Sequence, residues 1–257
     1  MRDAAKDCEA CHLYKRATQT VFGEGPKGAR IILVGEQPGD YEDVAGRPFV
    51  GPAGKIMDQA LEEAGIDRDQ VYITNAVKHF KWDPRGKRRI HQKPNSREIA
   101  ACWPWLEAEL RIVKPKLVVA MGATAAQAIF GPGFRVTRER GKVLSSKLAP
   151  RVLATVHPSS LLRQPDDASR QREYKHFVAD LRAALSAAGR IKELSDRRCV
   201  SGLVFDDKGF AKLIERSAFD FPARPVHQIQ IRMQIVKRDQ PKPENFFRLD
   251  EVTEVAT

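Results

Sequence analysis

Three cysteines have the chemistry and the spacing of metal ligands. Cys8 and Cys11 enclose two residues, and Cys102 follows much later in the chain. A close pair completed by distant ligands can hold zinc or an iron–sulfur cluster, and His79 is the candidate fourth ligand. With His12 the pair also spells a haem attachment motif, and a redox dithiol or a chance pair are further interpretations. Haem attachment normally follows export and a redox dithiol follows a strand, so a metal site is favoured.

A basic segment carries a second candidate chemistry. Residues 78–97 contain eight basic side chains and one acid, in a chain of net charge +11. Basic clusters bind the phosphates of nucleic acids, and we predict this role for Lys87, Arg88 and Arg89. His91 follows in the same stretch, and an unprotonated imidazole is a competent nucleophile. The plainer interpretation of the segment is a solvated surface.

Polar motifs follow four apolar runs, at the points where predicted strands end. The runs are residues 31–34, 71–74, 117–121 and 152–156, and the motifs begin at Gly35, Asn75, Gly122 and His157. Ligands of open α/β sheets bind at the carboxyl ends of parallel strands, so the motifs predict one site at one edge of the sheet. Each motif also has an interpretation as an ordinary turn, and a lone histidine is more often structural than catalytic.

Helical stretches separate these strands, and the alternation predicts the fold. The predicted helices are residues 54–64, 97–113, 123–130 and about 170–188. Strands alternating with helices form a parallel sheet that is covered on both faces. We therefore expect an α/β fold, a three-layer α/β/α sandwich with a central four-stranded parallel sheet. The catalytic domain is expected to span residues 1–190, and residues 191–257 to form an extension of unknown role that is ordered only in part.

Composition limits the class of protein and the compartment. Hydrophobic residues make up 42% of the chain, enough for a sizeable core. No apolar run is long enough to span a bilayer, and the start of the sequence lacks the apolar core of a signal peptide. We therefore expect a cytoplasmic protein with no membrane partner, in a compartment where thiols stay reduced. We expect the chain to act as a monomer.

Six features in a fixed order resemble a known family. They are GEQPGD at 35–40, GRPFVGPAG at 46–54, NAVKHF at 75–80, KRRIH at 87–91, HPSSLLR at 157–163 and the set Cys8, Cys11 and Cys102. Together they resemble the uracil-DNA glycosylase superfamily, specifically the family 4 type and its UdgX branch, over roughly residues 8–185. KRRIH in an enlarged loop is the feature that separates UdgX from other family 4 members.

The resemblance implies a role for each motif. Asn75 would hydrogen-bond the uracil edge, Phe49 would stack on the flipped ring, and His157 would lie against the uracil carbonyl. The turn after the first strand would line the site with Gly35, Glu36, Gln37 and Asp40. The three cysteines would hold a four-iron, four-sulfur cluster, with zinc as the alternative cofactor. His79 stands where family 4 has its fourth cysteine and is the implied fourth ligand.

The implied function is excision of uracil from uracil-containing DNA, with single strands preferred. We predict that His91 then bonds covalently to C1′ of the sugar, since the neighbouring cationic side chains disfavour its protonated form. Glu36 would orient the imidazole, accept its proton or support the cation. One alternative is a conventional family 4 glycosylase that turns over. The other is a non-enzymatic, metal-stabilised nucleic-acid-binding module.

Overall fold

The structure is a computed structural model that describes residues 1–189 and four short strands beyond them. Its contacts divide the chain into two units, Met1–Glu193 and Leu194–Thr257. In chain order the elements of the first unit are α1 (Arg2–Lys6), β1 (Ile31–Gly35), α2 (Asp40–Ala45), α3 (Pro52–Ala64), β2 (Tyr72–Asn75), β3 (Trp82–Arg85), β4 (Arg88–His91), α4 (Ser96–Val113), β5 (Leu117–Met121), α5 (Ala123–Phe130), α6 (Val136–Glu139), β6 (Val143–Leu144), β7 (Val152–Thr155) and α7 (Asp167–Gly189). Short 3-10 helices cover His12–Lys15, Arg68–Gln70 and Pro158–Arg163.

The central sheet has five strands in the order β2-β1-β5-β7-β6. The first four are mutually parallel and coincide with the four predicted strands. The fifth, β6, pairs antiparallel with β7 at the edge. The predicted count of four strands is therefore wrong by one. Sequence patterning missed β6 because it has only two residues, one of them exposed, and so makes no apolar run.

Helices cover both faces of this sheet, as the fully buried strands predict. Ile31 and Leu33 of β1 lie in one apolar cluster with residues of α3 and α7. Their neighbours Ile32 and Val34 point to the other face and lie in a second cluster with residues of α4 and α5. Successive side chains of a strand alternate between faces, so two apolar layers require a strand that is apolar throughout.

The basic segment folds as a β-hairpin rather than as an irregular loop. Strands β3 and β4 pair antiparallel, with Trp82 opposite His91 and Arg85 opposite Arg88. Gly86 begins the two-residue turn with a φ of +59°, a left-handed conformation that glycine adopts without steric cost. The hairpin lies in the connection between β2 and α4.

Helices α3 and α4 begin within two residues of the predicted starts at 54 and 97. Pro52 occupies the first turn of α3, where its missing N–H is tolerated. Asn95 caps α4, because its side chain accepts from the backbone N–H of Glu98 while the Glu98 carboxylate accepts from the N–H of Asn95. These caps fix the start of α4, the helix that carries Cys102 and Glu109.

The second unit contains four described strands, β8 (Leu203–Phe205), β9 (Ala211–Leu213), β10 (Ile229–Gln230) and β11 (Thr253–Glu254). They pair antiparallel as β8 with β9 and β10 with β11. The rest of the extension predicted for residues 191–257 lies outside the described residues. No helix in the described part of the chain is long and apolar enough to cross a membrane.

Candidate active site

The ends of β1 and β2 bring a buried amide beside an aromatic ring. Gly35 pairs with Asn75 in the parallel register. A Cβ at Gly35 would collide with Asn75 Oδ1 and would lie 2.6 Å from Phe49 Cζ, so only glycine permits this approach. Asn75 is 2% exposed, and its Oδ1 has no hydrogen-bond partner among the described residues. Because an unpaired buried acceptor is costly, this oxygen marks a place for a ligand that donates a hydrogen bond.

Phe49 holds its ring at this place through an unusual backbone. Its φ is +58°, a left-handed conformation that is uncommon for a bulky residue. The residue is 5% exposed, and its ring centroid lies 5.8 Å from that of His157, with the ring planes tilted by 33°. Strained backbone of this kind gathers at functional sites. The ring therefore joins the Asn75 side of the site to the His157 side.

His157 is a neutral imidazole with a defined tautomer. Burial lowers its pKa to about 4, and the positive charges of Arg163 and His91 add to the effect. Its Nδ1 accepts a hydrogen bond from the backbone N–H of Ser159 at 3.2 Å, which assigns the ring proton to Nε2. At neutral pH His157 is thus a hydrogen-bond donor and not a cation.

Glu36 connects the edge of the sheet to the hairpin. One carboxylate oxygen, Oε1, lies 3.4 Å from Nε2 of His91, and the other accepts a hydrogen bond from the hydroxyl of Thr124. The side chain of His91 is 48% exposed. Its partial burial lowers its pKa, Glu36 opposes that shift, and the charge of Arg163 reinforces it. The net direction favours the neutral imidazole, the form that has a lone pair to donate.

Gln37 holds the base of the hairpin. Its side-chain Nε2 donates to the carbonyl oxygens of Lys81 at 3.1 Å and Gln92 at 3.0 Å. Its Oε1 accepts from the backbone N–H of Lys81 at 3.1 Å. The side chain predicted to line the site is therefore fully used in joining the two ends of the hairpin to the turn after β1.

Arg89 fastens the hairpin to α2. Its guanidinium pairs with the carboxylates of Asp40 and Asp43 and donates to Thr18 Oγ1 at 3.2 Å. Asp43 is fully buried, so its ion pair with Arg89 ties the hairpin to the interior, whereas the pair with Asp40 lies at the surface. Arg89 and Asp40, predicted to touch DNA and substrate, are thus engaged with each other. Lys87 and Arg88 at the hairpin tip are exposed.

A family model decides how this arrangement is classified. The model described as the uracil DNA glycosylase superfamily matches residues 22–182. The chain belongs to the uracil DNA glycosylase superfamily. A type-4 uracil-DNA glycosylase of Thermotoga maritima is 40% identical over 179 residues, which cover 69% of this chain and 87% of that relative.

Two further relatives align over a smaller share of the chain. A type-4 uracil-DNA glycosylase of Sulfurisphaera tokodaii is 38% identical over 174 residues, or 65% of this chain and 76% of the relative. A type-5 uracil-DNA glycosylase of Pyrobaculum aerophilum is 30% identical over 154 residues, 53% of this chain and 64% of the relative. The predicted superfamily and its family 4 type are confirmed, and the UdgX branch stays a prediction.

The cysteines of this superfamily member lie near one another, as the metal-site hypothesis requires. Burial raises the pKa of Cys102 to about 11 against the charge of Lys78, and Cys11 and Cys8 are close enough to add to the rise. The indole N–H of Trp105 donates to Cys8 Sγ at 3.1 Å, and the backbone N–H of Lys78 donates to Cys102 Sγ at 3.1 Å. Hydrogen bonds to sulfur are a feature of iron–sulfur sites, so the three thiols and their donors fit the implied cluster.

Within the described part of the chain, no group of three or more His, Cys, Asp or Glu side chains is arranged to hold a metal ion. A zinc ion would need four ligands at about 2.0 to 2.3 Å, and a four-iron cluster would need one ligand on each iron. His79, the predicted fourth ligand, has its Nε2 2.9 Å from Thr20 Oγ1.

Two residues that act on the site, Thr124 and Arg163, were not predicted from the sequence. Thr124 orients the carboxylate of Glu36, and its signal was its position directly after β5, in the motif that begins at Gly122. Arg163 lowers the pKa of both His91 and His157. It lies at the end of HPSSLLR, a motif that was noted without a role for this residue. Thr124 meets Glu36 across 88 residues, and Arg163 acts on His91 through its charge, so neither role is encoded in a local pattern.

Proposed function

We propose that this protein removes uracil from DNA by cleaving the bond between the base and the deoxyribose. The observation that carries the proposal is the unpaired Oδ1 of Asn75, buried beside Gly35 and Phe49. One edge of uracil presents an N–H donor next to a carbonyl acceptor, and an asparagine amide offers the matching acceptor and donor. Relatives that are named type-4 uracil-DNA glycosylases support the same substrate.

The remaining residues of the site suit the steps of excision. A duplex hides the glycosidic bond, so the base must leave the stack, which costs least in single-stranded DNA. Lys87 and Arg88 are placed to bind phosphates, and Phe49 offers a ring on which the base stacks. Uracil departs with the electron pair of the broken bond. Its developing negative charge accepts hydrogen bonds from Nε2–H of His157 and from the amide of Asn75.

We further propose that His91 captures the sugar. Its lone pair forms a bond to C1′ as the glycosidic electron pair departs with uracil. The resulting imidazolium then releases its N–H proton to water. The carboxylate of Glu36, 3.4 Å from the ring, stabilises the cation until that proton is lost. The product is a protein–DNA crosslink, and the protein turns over little or not at all.

The attachment of the hairpin supports this second step. A nucleophile must be held within reach of the reacting carbon, because small displacements are costly to the rate. Gln37 fixes both ends of the hairpin, and Arg89 fixes its second strand to α2. A loop that only gathered phosphates would not need these contacts. The imidazole of His91 is therefore presented on a fixed element beside Glu36.

A four-iron, four-sulfur cluster held by Cys8, Cys11 and Cys102, with His79 as the proposed fourth ligand, completes the proposal. Such a cluster would cross-link the N-terminal segment to α4. No step of excision or capture passes through it. A brown colour of the purified protein, with iron and sulfide found by elemental analysis, would support the cluster, whereas zinc would contradict it.

The test of the function uses one mixture and two readouts. Wild-type protein and single-stranded DNA with one uracil should give a band of protein-plus-DNA mass on a denaturing gel. His91→Ala should lose this band entirely while still releasing uracil, since the proposed excision residues remain. His176→Ala, at an exposed histidine of α7, is the matched control and should crosslink normally.

The same mixture separates the alternatives. Far more than one equivalent of free uracil per wild-type protein, with no crosslink, would identify a conventional turnover glycosylase. A crosslink that persists in His91→Ala would exclude His91 as the nucleophile. DNA binding without uracil release or crosslink would identify a non-enzymatic binding module.

A further inference from the structure

A fully buried ion pair lies next to the end of β2, the strand that ends at Asn75. Lys78 and Glu109 are both 0% exposed, and Lys78 Nζ lies 2.6 Å from Glu109 Oε2. Two charges withdrawn from water rarely stabilise a fold more than apolar side chains of the same size. The pair therefore calls for an explanation other than stability.

The ammonium of Lys78 is bonded to its full capacity. Besides Glu109 it donates to Thr74 Oγ1 and to the main-chain carbonyl oxygen of Asn75, each at 2.7 Å. An ammonium has three donors, and all three are used on fixed partners. The contact with the Asn75 carbonyl closes the turn that follows β2. It thereby fixes the main chain of Asn75, the residue whose side-chain oxygen is unpaired among the described residues.

Glu109 in turn holds the ammonium in place. Its Oε1 accepts from the backbone N–H of Gly23 at 2.9 Å, from the hydroxyl of Tyr72 at 3.1 Å and from Thr74 Oγ1 at 3.0 Å. Gly23 lies in the segment before β1, and Tyr72 and Thr74 both belong to β2. The carboxylate is therefore immobile, and an immobile carboxylate fixes the position of the lysine.

We propose that Lys78 is a positioning residue for uracil recognition: its buried ammonium sets the main chain of Asn75 so that the amide side chain faces the base. Lys78 itself does not touch uracil. The proposal rests on the excision half of the proposed function and is independent of capture by His91. A packing role alone would not require a donor directed at the one carbonyl that belongs to Asn75.

Two variants separate positioning from stability. Glu109→Gln removes the counter-charge but keeps an acceptor for Gly23 and leaves the lysine on Asn75. It should lower the melting temperature and reduce uracil release per folded molecule by less than the double variant does, because the ammonium keeps the Asn75 carbonyl as a partner but loses the carboxylate that fixes it. Lys78→Met/Glu109→Gln removes both charges, so it should melt at a higher temperature than Glu109→Gln. Its single-turnover uracil release should nevertheless fall about a hundredfold, since Asn75 loses its support.

The half-saturating DNA concentration should stay unchanged in both variants, because phosphate contacts dominate affinity. If the double variant does not fold, Lys78→Gln/Glu109→Gln replaces it. Its melting temperature and uracil release are then compared with those of Glu109→Gln in the same way.

A double variant that releases uracil at the wild-type rate would overturn the proposal. So would a series in which activity simply follows melting temperature, which is what a structural role predicts. A wild-type protein that releases no uracil would refute the proposed function itself, a result distinct from either of these.

Discussion

The carboxyl end of β2 and the β3–β4 hairpin both bring a side chain to the candidate site, but they are held there differently. The end of β2 carries Asn75, which is buried and whose main chain is held by the ion pair of Lys78 and Glu109. The hairpin carries His91, which is about half exposed and attached through side-chain contacts near the surface. Under the proposed function the first region reads the base and the second captures the sugar. Capture can thus be changed at the hairpin without changing recognition.

The largest effect is expected at the buried region. Asn75→Ala removes the amide proposed to read uracil, and the loss of one such group typically costs 10²- to 10³-fold in rate. Single-turnover release of uracil should fall by about that factor while DNA binding is retained. Crosslinking should fall with it, since capture follows excision.

Asn95→Ala is the control for Asn75→Ala, because it makes the same substitution at the cap of α4. It should cost about 1 kcal/mol of stability and leave uracil release per folded molecule unchanged. An Asn75→Ala protein that releases uracil normally would remove the base-reading role from this region.

Breaking the attachment of the hairpin should affect capture alone. Arg89→Lys keeps the charge but loses the planar fork that pairs with Asp40 and Asp43. We expect crosslinking to slow by up to about a hundredfold, since small misplacements of a reacting group cost this much. Uracil release, measured as free base per protein, should persist.

Arg88→Lys, at the exposed neighbouring position, is the matched control for Arg89→Lys and should leave both rates close to wild type. Equal losses in the two variants would mean that Arg89 acts as an ordinary phosphate contact. Equal loss of excision and capture in Arg89→Lys would mean that the two regions are not separable.

The two regions also differ in how well the sequence predicted them. The buried region follows from local patterns, because four apolar runs fix the parallel strands and place Gly35, Asn75 and His157 at one edge. The hairpin was predicted as a basic loop, since Pro84, Gly86 and the dense charges hide the alternation of a strand. Its attachment was not predicted at all.

The missed attachments share a physical cause. Gln37 meets Lys81 and Gln92 across 44 and 55 residues, and Arg89 meets Asp43 across 46. Contacts between distant residues depend on the folded arrangement and leave no periodic trace in the sequence. The charge of the segment assigned Arg89 to phosphate and the family resemblance assigned Gln37 to the substrate site, whereas in the structure both side chains hold the hairpin.

The pH dependence of the two steps should also separate the end of β2 from the hairpin, with a smaller effect. Partial burial keeps the pKa of His91 below 6.5, with Glu36 opposing and Arg163 assisting, and burial lowers the pKa of His157 to about 4. A lowered pKa means that the neutral, nucleophilic imidazole of His91 persists from alkaline pH down to that pKa. Below it the crosslinking rate should fall about tenfold per pH unit.

Excision should be less sensitive to acid, because His157 stays a neutral donor down to about pH 4. Rates of crosslinking and of uracil release, measured from pH 4.5 to 8, should therefore diverge at the acidic end. Coincident profiles would show that one group governs both steps, which would contradict the division between the regions.

The smallest expected effect concerns the hairpin tip. Lys87→Ala/Arg88→Ala removes two exposed cations, and each phosphate contact contributes about 0.7 to the slope of log affinity against log salt on single strands. The slope should therefore become shallower by about 1.4, while the single-turnover rates of excision and capture at saturating DNA stay unchanged. Lys114→Ala/Lys116→Ala, an equal loss of charge between α4 and β5, is the control and should leave the slope intact. If the control changes the slope as much as the tip variant does, affinity comes from overall charge. The hairpin would then contribute His91 to the site and nothing specific to DNA binding.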